Sequence, residues 1–196
     1  MVSIAVVYHS GFGHTKAVAD SVARGAAQVA GAKVALIPVE EAEERLGELD
    51  AADAIIFGAP TYMGGASAKF RTFAEMTSKK WYGQAWKNKI AAGFTNSASQ
   101  SGDKLATIAS LQVFAAQHGM VWVGLDLLPG NNSSKSSVDD LNRLGSFSGL
   151  MTQSNSDQGA DVAPPHADHR TAEHFGRRVA EATARWVRGA DLAKAA

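Results

Sequence analysis

Ser10, Gly11, Phe12, Gly13, His14 and Thr15 place two hydroxyls and two glycines between an apolar run and a segment of helical period. A turn of this kind, from buried strand to helix, aims backbone N–H groups and the positive end of the helix dipole at one point, where an anion can sit. The glycines allow close backbone approach, and Ser10 and Thr15 add hydroxyls. Donors converging from three sides suit the three oxygens of a terminal phosphomonoester. Other phosphate loops fit less well. A Walker A loop needs Gly-Lys-Ser/Thr, an order that Gly13, His14, Thr15 and Lys16 do not keep. A dinucleotide fingerprint needs a third glycine at the helix start, where Ala or Val stands. The alternative is an ordinary strand-to-helix turn capped by Ser10 or Thr15.

Two further loops carry binding chemistry. Pro60, Thr61, Tyr62, Met63 and Gly64 follow an apolar strand. Pro60 stiffens the turn, Gly64 and Gly65 let the chain pass close to a ligand, and Tyr62 and Met63 can lie against a planar ring or plug the end of the sheet. Thr95, Asn96, Ser97, Ala98, Ser99, Gln100 and Ser101 make a small, polar, uncharged loop. Its amides and hydroxyls suit the edge of a heteroaromatic ring that bears carbonyls and ring nitrogens; capping of the following helix is the competing role.

Strand and helix signals alternate, as in an α/β sheet with parallel strands. Strands are expected at residues 3–9, 33–39, 54–57, 89–95 and from 120 to 127, and helices at about 15–29, 67–78, 103–118 and 168–186. Residues 40–48 form an acidic short helix or loop, and a tail follows Arg188. Between Pro129 and Gly145 the chain is rich in Ser and Asn and has no period, after which residues 147–152 resemble a strand again. The simplest account is an insertion that splits strand five; a mobile surface excursion is the alternative. The expected fold is one domain over residues 1–196, a doubly wound five-stranded parallel sheet of order 2-1-3-4-5 with residues 189–196 frayed. Ligands in such sheets bind outside the carboxyl ends of the strands, so the loops after strands one, three and four converge. Response-regulator receivers share this topology but need carboxylates for Mg²⁺. Strands one and three end here at His9-Ser10 and Gly58-Ala59-Pro60-Thr61, which excludes that reading.

Composition excludes more. The chain of 196 residues has no cysteine, which rules out disulfides, thiolate metal sites and Cys nucleophiles and fits a reducing, cytoplasmic location. Nineteen basic residues balance nineteen acidic ones, so nothing points to nucleic acid. No leader-like segment precedes the first strand, and no apolar run nears the roughly 18 residues of a membrane span. His166, His169 and His174, with Asp161 and Asp168, match no zinc spacing; Asp168 is expected as a helix N-cap, and no metal is expected. No Gly-x-Ser-x-Gly elbow is present. Trp81, Trp86 and Trp122 suit core or interface.

Several stretches together resemble the flavodoxin-like superfamily and, within it, the WrbA-like NAD(P)H:quinone oxidoreductases. They are Ser10-Gly-Phe-Gly-His-Thr15, Ile55-Ile-Phe-Gly-Ala-Pro-Thr61, Arg71-Thr-Phe73, Trp81 and Ala116-Gln-His-Gly-Met120. The resemblance implies FMN as cofactor, NAD(P)H as reductant, a quinone as acceptor, ping-pong turnover and a homotetramer or dimer. It implies that Ser10 to Thr15 hold the FMN phosphate, that Thr61, Tyr62 and Met63 contact the isoalloxazine, and that Asn96 to Ser101 line its pyrimidine side. His118 then serves as a catalytic and flavin-contacting residue, from its own or a neighbouring subunit, and Phe12, Tyr62 and Trp81 flank the substrate space. Departures are visible. The family commonly has Arg-Phe where Tyr62-Met63 stand, and a glycine-rich loop where Asn96 to Ser101 carry none. The alternatives are a flavodoxin-type electron carrier without its own substrate, and a nucleotide-binding regulatory domain.

Overall fold

The computed structural model describes residues 1–195, without the side chains of Asp191, Lys194 and Ala195. Five strand positions lie side by side in parallel. β1 (Val2–Tyr8) pairs with β2 (Ala32–Pro38) on one side and with β3 (Ala54–Tyr62) on the other, and β5 (Ile90–Ser97) lies beyond β3. The fifth position is shared by two short strands. β6 (Val121–Trp122) pairs with the first residues of β5, Ile90 and Ala91, whereas β7 (Leu150–Gln153) pairs with its last four, Phe94 to Ser97. The expected order and the split of strand five are therefore both present, but the break begins at Trp122 rather than after Leu127.

Side chains alternate across the sheet. Ile4, Val6, Ala54 and Ile56 face a core closed by α1 (His14–Ala27) and α6 (His166–Ala195). Ala5, Val7, Ile55 and Phe57 face a second core closed by α2 (Leu46–Ala51), α3 (Ala68–Met76) and α5 (Lys104–Gln117). α1 and α6 cross backbone to backbone: a Cβ on Gly176 would stand 1.9 Å from the Val22 carbonyl oxygen, so only glycine fits. A 3₁₀ turn at Val39–Glu41 and a one-turn helix, α4 (Ser78–Tyr82), complete the second face.

Two expectations need correction. α6 starts at His166, which places Asp168 inside its first turn and not at the cap; the buried carboxylate accepts from Arg143 Nε (2.6 Å) and Nη2 (3.0 Å) and from the Gln153 N–H (2.8 Å). α6 also continues through residues 189–195, read from the sequence as a tail, with Ala196 outside the described residues. Of the two places open to Trp86, core or interface, it takes the core: it is wholly buried and donates to Asp50 Oδ1 at 2.8 Å. Among the described residues, no helix is long and apolar enough to cross a membrane. His169 bonds Ser21 Oγ and His174 bonds Asp126 Oδ1, so the C-terminal histidines face separate partners.

Candidate functional site

The carboxyl ends of β1, β3, β5 and β7 open into one hollow of about 910 Å³, within the usual range for small-molecule sites. At one end is the turn after β1. Gly13 caps α1 with φ of 90°, a value that favours glycine. Lys16 N–H donates to Ser10 Oγ at 3.1 Å, and His14 Nε2 lies 2.8 Å from the Gln158 carbonyl, which ties the turn to the segment after β7. Among the described residues, the N–H groups of Phe12, Gly13, His14 and Thr15 have no protein acceptor. The hydroxyl of the buried Thr15 likewise makes no hydrogen bond among the described residues. Donors left unpaired at a helix N-terminus are what an anion requires, so this turn fits a phosphate.

The middle of the hollow is walled by the end of β3. Met63 and Gly64, at φ of 48° and 81°, form the two-residue turn between β3 and β4 (Gly65–Ala66), with Tyr62 paired to Gly65; positive φ at both positions is the type I′ geometry. Met63 is fully exposed at the tip. The rings of Tyr62 and the exposed Phe12 meet edge to face, 6.1 Å between centroids and 71° apart. Burial raises the Tyr62 phenol above its ordinary value, partly offset by the Gly11 N–H beside it. Beneath, Thr61 Oγ1 lies 2.7 Å from both Thr95 Oγ1 and Thr107 Oγ1. Thr95 thus supports the floor and does not line it.

The far end is the turn after β5. Asn96 Oδ1 accepts from Thr152 Oγ1 (2.9 Å) and Ser154 Oγ (3.1 Å), and its NH₂ has no partner among the described residues and is available to a ligand. Gln153 Nε2 donates to the Ala98 carbonyl at 2.9 Å. Lys104, wholly buried, donates to the carbonyls of Ser99 and of Gln100 (3.1 Å). No lysine or arginine is among the lining residues.

Of the expected residues, Phe12, His14, Thr15, Pro60, Thr61, Tyr62, Met63, Gly64, Asn96, Ser97, Ala98 and Ser99 line this hollow. Ser10, Gly11 and Gly13 shape the first turn behind it, and Gln100 and Ser101 face a neighbouring hollow. Gly102, Asp103, Ser154, Ser156 and Gln158 also line it and were not expected. The last three follow β7, the second piece of strand five, whose carboxyl end belongs to the same rim.

His118 and Trp81 lie elsewhere. His118 caps the C-terminus of α5, 14 residues from Lys104, which is roughly 20 Å along a helix. It lines a separate hollow of about 700 Å³ with Trp81, Arg71 and Thr77. Its ring stacks on Trp86 at 4.5 Å, its Nε2 is 3.0 Å from Thr77 Oγ1, and its buried Nδ1 has no partner among the described residues. Burial lowers its pKa. Within one chain neither residue lines the first hollow: His118 stands at the C-terminal end of α5 and Trp81 on α4, both around the second hollow.

A five-stranded doubly wound sheet with an anion turn after its first strand defines a flavodoxin-like protein. The model of the family described as NADPH-dependent FMN reductase matches residues 10–131. Flavodoxin FldP of Pseudomonas aeruginosa is 43% identical over 180 residues, covering 89% of this chain and 93% of that one. An NAD(P)H dehydrogenase (quinone) of Aromatoleum aromaticum is 32% identical over 208 residues, covering 95% and 98%. A flavodoxin, WrbA-like protein from Agrobacterium tumefaciens superposes with a TM-score of 0.73 at 39% identity, covering 94% of this chain and 99% of that one. The chain belongs to the NADPH-dependent FMN reductase family of flavodoxin-like oxidoreductases, on its WrbA-like side.

Proposed function

We propose that this protein, as one domain over residues 1–196, binds FMN and passes two electrons from NAD(P)H to a quinone in the cytoplasm. The observation that carries the reading is the unpaired donor set of Phe12, Gly13, His14, Thr15 N–H and Thr15 Oγ1 at one end of a hollow whose other end offers Asn96. When bound, FMN supplies the hydride chemistry, and the protein supplies position and electrostatics. The first turn grips the phosphate through neutral donors and the α1 dipole. Thr61, Tyr62 and Met63 hold the ring on one side, and Asn96 to Ser101 hold its pyrimidine edge. Phe12 and Tyr62 flank a single open mouth, which nicotinamide and quinone occupy in turn. One mouth for both substrates requires ping-pong kinetics: initial rates at several quinone concentrations give parallel double-reciprocal lines, and intersecting lines refute the shared mouth.

The same reading includes a homotetramer, or a dimer, in which a neighbour's His118 and Trp81 face the flavin mouth. Its support is the second hollow, whose rim leaves Trp81 47% and Val113 60% exposed, with Tyr82 beside them at 85%. Dilution then lowers specific activity and loosens FMN together. Sedimentation of a fully active FMN-loaded monomer refutes it.

The relative named flavodoxin favours a second reading, an electron carrier without its own small-molecule substrate. Purified protein with FMN, NAD(P)H and benzoquinone separates the two: turnover supports the enzyme, and no turnover supports the carrier.

A further inference from the structure

Lys104 is a buried ammonium with no carboxylate in contact. It opens α5 and is wholly buried; its Nζ donates to the carbonyls of Ser99 and Gln100 and forms no ion pair among the described residues. Gln153 takes the Ala98 carbonyl. Three successive carbonyls of the turn are therefore engaged by side chains that do not line the flavin hollow, while Ala98 and Ser99 themselves do line it. The N–H groups of Ala98, Ser99 and Gln100 have no protein acceptor among the described residues. The turn thus shows carbonyls to Lys104 and Gln153, and leaves N–H groups for a ligand.

We propose that Lys104 is a positioning residue that sets the redox bias of the site. It holds the N–H face of the 98–100 turn toward the pyrimidine edge and places a positive charge beneath that edge, which favours the two-electron-reduced anionic flavin over the oxidised form. This rests on the FMN reading above. Preorganised donors and a fixed charge, aimed where negative charge develops, stabilise that charge without reorganisation. The charged groups around Lys104 leave its charge in place. Arg143 on the insertion and Asp168 on α6 pair with each other, Nε to Oδ1 at 2.6 Å, and cancel. Asp103, the preceding residue, lines the hollow but forms no ion pair with Lys104 among the described residues. Burial lowers the Lys104 pKa to about 8, with Asp168 opposing the shift and Arg143 adding to it, so the ammonium persists at neutral pH and is lost in mild alkali.

The test is the two-electron midpoint potential of bound FMN, measured by equilibration with redox dyes. The samples are the wild type, Lys104→Gln and Lys104→Arg, with the FMN Kd of each. Lys104→Gln keeps a donor for the turn but no charge; the reduced form should lose about tenfold in relative affinity, a fall of about 30 mV for a two-electron couple. Lys104→Arg should stay near the wild type. The gap between wild type and Lys104→Gln should close as pH rises through about 8. An FMN-loaded Lys104→Gln at the wild-type potential overturns the proposal and leaves the FMN reading intact. If Lys104→Gln fails to fold, the wild type alone decides. Its bound-minus-free FMN potential should fall through about pH 8, and a flat difference overturns the proposal. A wild type that binds no FMN refutes the FMN reading, and with it this inference.

Discussion

Thr15→Ala tests the phosphate turn with little disturbance of the fold. Thr15 is buried, at 2% exposure, yet its hydroxyl makes no hydrogen bond among the described residues. Its removal breaks no folded-state hydrogen bond and deletes only a small group from the mouth of a ready-made hollow. The melting temperature of the apoprotein should hardly change. A hydrogen bond to a charged group is worth about 1.5–3 kcal/mol, so FMN should bind roughly 10- to 150-fold more weakly. Riboflavin has the same ring and no phosphate, and its affinity should be unaffected. Fluorescence titration of both ligands into both proteins forms a cycle that isolates the hydroxyl–phosphate contribution. Equal losses for FMN and riboflavin would place Thr15 against the ring or the ribityl chain. No loss for either would remove it from the site, and the unpaired N–H groups of residues 12–15 would need another explanation.

Gly176→Ala drives a methyl group into the Val22 carbonyl oxygen, 1.9 Å from where its Cβ must stand; overpacking against rigid backbone should cost about 3 kcal/mol or more in urea unfolding, and an unchanged midpoint would refute the contact. Asp168→Ala strands the buried Arg143 and releases the Gln153 N–H. The expected cost is about 3–5 kcal/mol, whereas pairing it with Arg143→Met should recover part of that, and strict additivity would refute the coupling. Burial lowers the pKa of His9, His118 and His169. Each binds its proton more readily when unfolded, so stability is full above about pH 6.5 and falls as pH drops below it. The slope measured between pH 7 and 5 should shrink in His118→Phe, and an identical slope would refute the assignment.

The sheet order was legible because the apolar runs 3–9, 54–57 and 89–95 are bounded by glycines and polar loops, and parallel topology follows from alternation. The first three walls of the site were legible for the same reason, since they end those strands. The fourth wall was not. Residues 153–166 look like any polar loop, and Ser154, Ser156 and Gln158 join the rim only because β7 pairs in register with the last four residues of β5. The sequence offered one signal: a second piece of strand five must also end on the ligand side. Trp86 stayed open between core and interface because composition cannot separate an exposed indole from one bonded to Asp50 inside the core. Which cavity His118 lines within its own chain was not legible, because proximity in a family motif says nothing about which end of a helix faces which cavity.

The insertion shows how a polar segment is held without a core of its own. Its Ser and Asn content offers no apolar core, and bonds to the rest of the chain hold it instead. Asn142 closes the base: its Nδ2 donates to the carbonyls of Leu127 and Ser146, its Oδ1 accepts the Ser146 N–H, and its own N–H donates to Thr171 on α6. The next residue, Arg143, reaches Asp168 on the same helix and Gln153 Oε1 at the end of β7. Gln153 in turn holds the Ala98 carbonyl, and Lys104 holds the two that follow. Splitting the fifth strand position therefore lets a loop that starts beside β6 return beside Asn96 and brace the one ligand turn that lacks glycine. A glycine-rich turn could approach the ring by backbone freedom alone. This chain gives Asn96 to Ser101 side chains instead, and fixes their backbone from behind.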